Sequence, residues 1–125
     1  TIAQKNRETL DYAHFAFAWF RHGPIFDVLA GVQEREDCQV VAACELDEQT
    51  REQLRADGKV KITHGSFRKM LDDVECDIVA VGDYYANRGP LLVAALEAGK
   101  HVLADKPACT SLDDLDRIER LSTEK

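Results

Sequence analysis

The chain has 125 residues, of which 45% are hydrophobic and 31% charged. That is the size and composition of one globular domain, which excludes a disordered chain, and the residues are too few for a large two-domain enzyme. Sixteen Lys and Arg stand against 23 Asp and Glu, a net charge of −7; such a surface repels nucleic-acid phosphates and anionic lipid, yet leaves room for one local site that takes a small anion.

Apolar runs such as Val40 to Cys44 fall far short of the ~20 residues of a membrane span. The first eight residues are polar, with no apolar signal segment. Neither a nucleic acid nor a membrane is therefore expected as a partner. Cys38, Cys44, Cys76 and Cys109 form no Cys-x-x-Cys pair. They are expected to be buried or half-buried thiols of a reducing, cytoplasmic environment, and their spacing argues against zinc.

The chain alternates two periodicities. His14 to Trp19 reads as a strand of alternating aromatic and small residues. Pro24 to Gln33 places Ile25, Val28, Leu29 and Val32 at helical spacing, with proline in the first turn. Gln39 to Cys44 is a second strand, apolar at consecutive positions as if covered on both faces. Asp47 heads a charged helix, Glu48 to Ala56, that stops at Asp57-Gly58. Lys59 to Thr63 alternates and predicts a third strand near an edge, and Ser66 caps a short helix through Leu71. Cys76 to Val81 is a fourth strand, Leu91 to Ala98 a helix closed by Gly99, and His101 to Ala104 a fifth strand. Thr110 or Ser111 caps a last helix with Leu112, Leu115, Ile118 and Leu121 on one face. Residues 1–12 carry little apolar pattern and read as an N-terminal arm.

Strands separated by helices run the same way, so the expected fold class is α/β, a doubly wound, mainly parallel sheet with helices on both faces. Such sheets bind ligands outside the carboxyl ends of their strands. Those ends carry Trp19 to Pro24, then Glu45, then His64-Gly65, then Gly82 to Tyr85, then Asp105-Lys106-Pro107. The polar and aromatic residues gather there.

The first turn is the candidate for a phosphate. Free N–H groups of a helix N-terminus attract an anion, Arg21 adds a charge and His22 a donor. The glycine fingerprint G-x-G-x-x-G is absent: Trp19 and Arg21 stand in its first two slots. A plain strand–helix turn with a surface arginine remains the alternative. Glu45, 26 residues after Trp19, can accept the two hydroxyls of an adenosine ribose and would repel a 2′-phosphate, favouring NAD over NADP; otherwise it is a solvated strand-end acid. Lys106 is a candidate proton donor or an ordinary loop lysine. Tyr84 and Tyr85 either wall an aromatic ligand or pack. The motif G-x-x-x-x-G-K-[ST] is absent, which disfavours phosphoryl transfer.

The segment Ala95 to Pro107, reading Ala-Leu-Glu-Ala-Gly-Lys-His-Val-Leu-Ala-Asp-Lys-Pro, resembles the Ala-Leu-Glu-Ala-Gly-Lys-His-Val…Glu-Lys-Pro stretch of the glucose–fructose oxidoreductase / inositol dehydrogenase / rhizopine catabolism (Gfo/Idh/MocA) family. Val40 to Glu45 resembles its second strand with a terminal acid, and Phe67 to Ala80 its helix and fourth strand. Phe20 to Phe26 resembles a variant of its first turn. The resemblance covers about residues 13–125. It implies an NAD(P)-binding Rossmann domain serving hydride transfer to or from a sugar, polyol or related carbonyl compound. It implies Lys106 as the catalytic lysine that meets substrate, with a cis bond to Pro107. It implies cofactor contacts from Phe20, Arg21, His22, Ile25, Glu45, Asp83, Tyr84, Arg88, Asp105 and Pro107.

Three departures stand out. Trp19 replaces the first glycine, and its indole either blocks the pyrophosphate or stacks on the cofactor. Asp83-Tyr84-Tyr85 stands for the family's Thr-Pro-Asn, and Arg88 for a frequent His. The family's C-terminal substrate domain is not among these residues, so little activity is expected from them alone. A non-catalytic binding or assembly domain that lost the cofactor is the other reading. An uncovered sheet edge and interdomain face would favour a homo-oligomer.

Overall fold

The computed structural model of the protein describes residues 12–20, 23–83, 85–104 and 109–124. Strand β1 (Ala13–Phe20) leads to helix α1 (Pro24–Glu34), then β2 (Cys38–Cys44) and α2 (Glu48–Asp57). Helix α3 (Phe67–Asp73), β3 (Ile78–Gly82), α4 (Tyr85–Glu97), β4 (His101–Ala104) and α5 (Leu112–Glu124) complete the chain order. The sheet order is β2-β1-β3-β4, and each neighbouring pair is parallel. This is the expected doubly wound α/β fold.

Local chemistry explains most boundaries. Asp47 accepts the Thr50 N–H at 2.9 Å and starts α2. Ser66 accepts the Lys69 N–H at 3.3 Å and starts α3. Ser111, rather than Thr110, takes the Asp114 N–H at 3.3 Å. Gly58 ends α2 in the left-handed region, where only glycine sits without strain.

β1 lies central and sorts the core by parity. Phe15 and Phe17 point to the face covered by α1, with Ile25, Leu29 and Val32. Ala16 and Ala18 point to the other face, where Phe67, Met70, Leu71, Leu92 and Ala95 of α3 and α4 close in. Small residues on one side of the strand let bulkier helix side chains reach the sheet.

Two expectations are corrected. The sheet has four strands, not five: residues 59–63 form no strand, and that end of the chain segment meets β2 through a Cys44–His64 bridge and the Thr63 and His64 N–H groups, given to the Ala43 carbonyl at 2.8 and 3.1 Å. The Thr63 hydroxyl takes the Ala43 N–H at 3.1 Å, where a ladder carbonyl would stand, and the Gln33 amide takes the Lys59 carbonyl at 3.0 Å. Val60 and Ile62 still pack on the core, so the apolar alternation was informative though the ladder did not form. Helix α4 begins at Tyr85 rather than Leu91 and contains Pro90. Burial of Arg88, Leu92 and Val93 along it outweighs the local breaker. On α5, Ile118 packs on the core, but Leu112 is 84% exposed and Leu115 49%, so its apolar stripe is only half used.

Among the described residues no helix is long and apolar enough to cross a membrane. All four cysteines are free, Cys44 and Cys76 buried, Cys38 and Cys109 half-buried. Burial pushes the Cys44 thiol up to about 12 and the Cys76 thiol in the same direction. Thiolate is the reactive form, so two of the four thiols should react quickly with a disulfide reagent near neutral pH, and all four only in denaturant. Counting thiols released with and without urea checks this.

Candidate functional site

The carboxyl end of β1 holds the unusual backbone. Trp19 has φ 64°, and it is the one non-glycine with positive φ among the described residues. That left-handed conformation costs an L-residue roughly 1–2 kcal/mol. It coincides with a register shift against β3 between Ala18 and Phe20. The shift swaps the faces: by parity Trp19 would join Phe17, yet its indole lies in the cluster with Ala16, Ala18 and Met70, and Phe20 joins Phe15 and Phe17. Phe20 then stacks on Phe17 at 6.2 Å between ring centroids.

Glu45 secures this corner. It sits one residue past β2 and is 0% exposed. Its Oε1 accepts the Phe20 N–H at 2.8 Å and its Oε2 the Asp47 N–H at 3.0 Å. One carboxylate therefore ties the end of β1 to the start of α2, satisfying donors that the bulge and the helix entry leave without ladder partners. The structure turns this acid inward, where the sequence suggested one facing a ligand.

Helix α1 presents an anion-receptive end. Gly23 is its N-cap, no side chain caps it, and Pro24 fills the first turn. Pro24 carries no N–H and the Phe26 N–H goes to the Gly23 carbonyl at 3.1 Å, so the Ile25 N–H is the donor of this first turn that an anion would meet. Gly82, at the end of β3, makes the approach tight: an added Cβ would lie 2.6 Å from both the Ile25 Cβ and the Trp19 carbonyl oxygen. Glycine is needed there for β3 to meet the first turn.

Above this contact lies a cleft of about 190 Å³, lined by Pro24, Ile25, Val28, Gly82, Arg88 and Leu103 among others. It is apolar apart from one charge. Arg88 is 0% exposed, and its Nε donates to the Asp83 carbonyl at 2.8 Å. A buried arginine thus holds the backbone just past the end of β3. Trp19 does not line the cleft; its indole is folded into the core beneath.

Phe20, Ile25, Glu45, Asp83 and Arg88 therefore converge at one end of the sheet. Arg21, His22, Tyr84, Asp105, Lys106 and Pro107 lie outside the described residues. Gly82 was legible as a strand end but carried no role in the sequence; its packing only shows in space. Val28 and Leu103 looked like ordinary helix and strand residues. His64 bonds to Thr63 at 2.8 Å and faces Asp73 at 3.4 Å. Among the described residues no group of three or more His, Cys, Asp and Glu could hold a metal.

A parallel sheet with an uncapped helix end, a glycine contact and a small apolar cleft at its strand tips defines a nucleotide-binding Rossmann domain. Residues 23–125 match the Gfo/Idh/MocA family, described as an oxidoreductase family with an NAD-binding Rossmann fold. The chain belongs to that family. A curated relative, 1-carboxy-3-chloro-3,4-dihydroxycyclohexa-1,5-diene dehydrogenase of Comamonas testosteroni, is 31% identical over 80 residues, covering 64% of this chain and 20% of that protein. Myo-inositol 2-dehydrogenase from Lactobacillus plantarum superposes with a TM-score of 0.73 at 20% identity, over 90% of this chain and 33% of its own. The WlbA dehydrogenase from Bordetella pertussis, solved with NADH and UDP-GlcNAcA, superposes with a TM-score of 0.78 at 17% identity, over 90% of this chain and 35% of its own. The chain thus spans a fifth of the curated relative and about a third of these structures.

Glu45→Gln should lower stability by about 1–3 kcal/mol, because whichever way the amide turns, its NH2 faces a backbone N–H. A urea titration against the wild type reads this. An unchanged midpoint would show that the clasp contributes nothing. Gly82→Ala should cost at least as much, since neither Ile25 nor the Trp19 backbone can retreat far.

Proposed function

We propose that this chain is the cofactor-holding part of an NAD-dependent oxidoreductase that transfers a hydride to or from a hydroxylated ring compound such as a sugar or polyol. The observation that carries the reading is the open cleft at the β3 and β4 tips with the indole of Trp19 packed away from it. An indole lying across the first turn would have favoured a domain that had lost its ligand. The volume, about 190 Å³, is below the usual ~300 Å³ and up of whole-ligand pockets and suits one flat ring rather than a dinucleotide.

A bound nicotinamide supplies the hydride chemistry. The residues of this chain bind and orient it. The Ile25 N–H and the positive end of α1 meet the pyrophosphate, with Arg21 and His22 as added partners. Ile25, Val28 and Leu103 exclude water from the ring. Arg88 holds the Asp83 backbone in place beside it. Glu45 first holds the turn itself and reaches an adenosine ribose only by releasing one of its two backbone bonds. Lys106, followed by Pro107 and preceded by Asp105, meets the substrate and moves a proton. Names such as myo-inositol 2-dehydrogenase and the dihydroxycyclohexadiene dehydrogenase support a ring carbon bearing a hydroxyl as the substrate. The enzyme acts in the cytoplasm, as its free thiols suggest.

Trp19 is the single tryptophan and adjoins the cofactor turn, so it serves as a reporter. Titration with NADH should quench its emission, with saturation below millimolar concentration. The absence of both quenching and heat at millimolar NADH would overturn the reading.

A further inference from the structure

Among the described residues, the apolar cleft at the β3 and β4 tips is lined by one formal charge. Ile25, Val28, Val81 and Leu103 line it as aliphatic walls, and Arg88 is its cation. Asp27, in the first turn of α1, and Asp83, just past β3, are not among the lining residues.

Arg88 cannot shed its charge, because a guanidinium stays protonated throughout the pH range of a folded protein. The residue is buried, and its Nε donates at 2.8 Å to the Asp83 carbonyl, a neutral acceptor. That bond fixes where the cation sits without opposing its charge. The positive end of α1 opens on the same cleft through Pro24 and Ile25, so the helix adds potential of the same sign. Apolar walls keep the local dielectric low and let both act over several ångströms.

A flat ring in this cleft therefore meets a positive potential. The two redox forms of a nicotinamide differ in charge: the oxidised ring is a cation, and the reduced ring is neutral. The aliphatic walls serve both forms nearly alike. Charge is what tells them apart, and a fixed cation disfavours the oxidised ring.

We infer that Arg88 makes this cleft selective for the reduced cofactor, as the residue that determines specificity between NADH and NAD+. The inference rests on the dinucleotide reading above and concerns which form is held more tightly. The test compares NADH with NAD+ on the whole chain by calorimetry, with 5′-AMP as a third titrant that reports the adenosine half alone. NADH should bind about tenfold tighter or more, since a unit charge within about 10 Å of the ring contributes at least that factor at an effective dielectric constant of about 20. Arg88→Gln should bring the two forms to within about threefold, chiefly by tightening NAD+. Arg88→Lys should keep most of the gap, because the charge stays and only the planar fork is lost. 5′-AMP should bind the wild type and both variants alike, and a urea midpoint for each shows that it folds. An arginine with a merely structural role would weaken both forms together and leave their ratio unchanged. In the wild type the ratio should also persist when salt is raised to about 0.5 M, because salt screens surface charges far more than a buried one.

Equal affinities in the wild type, a ratio that collapses in salt, or a gap that survives Arg88→Gln would each overturn the inference while leaving dinucleotide binding intact. Binding of neither NADH nor NAD+ would overturn it together with the function it rests on.

Discussion

The corner at Trp19 and Phe20 governs the rest of the structure. A strand buried on both faces must end without leaving donors orphaned in the core. Here the chain turns through one left-handed residue, and the Phe20 N–H that the bulge frees is taken by Glu45. The same carboxylate receives the Asp47 N–H at the entry to α2. Two strand ends and one helix start are thus held by a single side chain. Burying it is tolerable because both oxygens are bonded.

The inversion at Trp19 also decides what the ligand site looks like. With the usual parity the indole would have gone with Phe17 towards α1 and the floor of the cleft. With φ at 64° it enters the opposite cluster, among Ala16, Ala18, Ala42 and Met70. The strain is offset by burying the largest side chain type in the chain, at a place where alanines leave room. Gly82 completes the arrangement by letting the Trp19 carbonyl and Ile25 come against β3. The first turn is built from a tryptophan and packing rather than from a run of glycines, yet the helix end behind it stays open.

The two grooves at this end of the sheet differ in character. The one at β3 and β4 is apolar with a buried arginine held to the Asp83 carbonyl; the one at β2 is polar and lined by Glu48, Arg51, Glu52 and Arg55. The remaining apolar surface, around Leu112 and Leu115, lies in the first turn of α5, where Asp114 packs against Gly89 of α4.

Much of this was legible in the residues themselves. Asp47, Ser66, Gly58 and Pro24 announce helix ends by chemistry that acts over three or four residues, and each stands where expected. The runs of β1, β2 and β3 are apolar because both faces are covered, so the parallel direction followed from pattern, while the spatial order β2-β1-β3-β4 is seen only in the structure. Glu45 was visible as an acid at a strand end, and Arg88 as a charge in a loop. What local pattern could not show was direction. The Glu45 carboxylate points inward because a bulge 25 residues earlier leaves an N–H there. Residues 59–63 miss the ladder because a threonine hydroxyl and a distant glutamine amide claim its groups. The sequence determined which elements form and which chemistry gathers at one end; tertiary structure decided which of those groups are spent on the fold and which remain for a ligand, because hydrogen bonds between distant segments are set by the packing that brings them together.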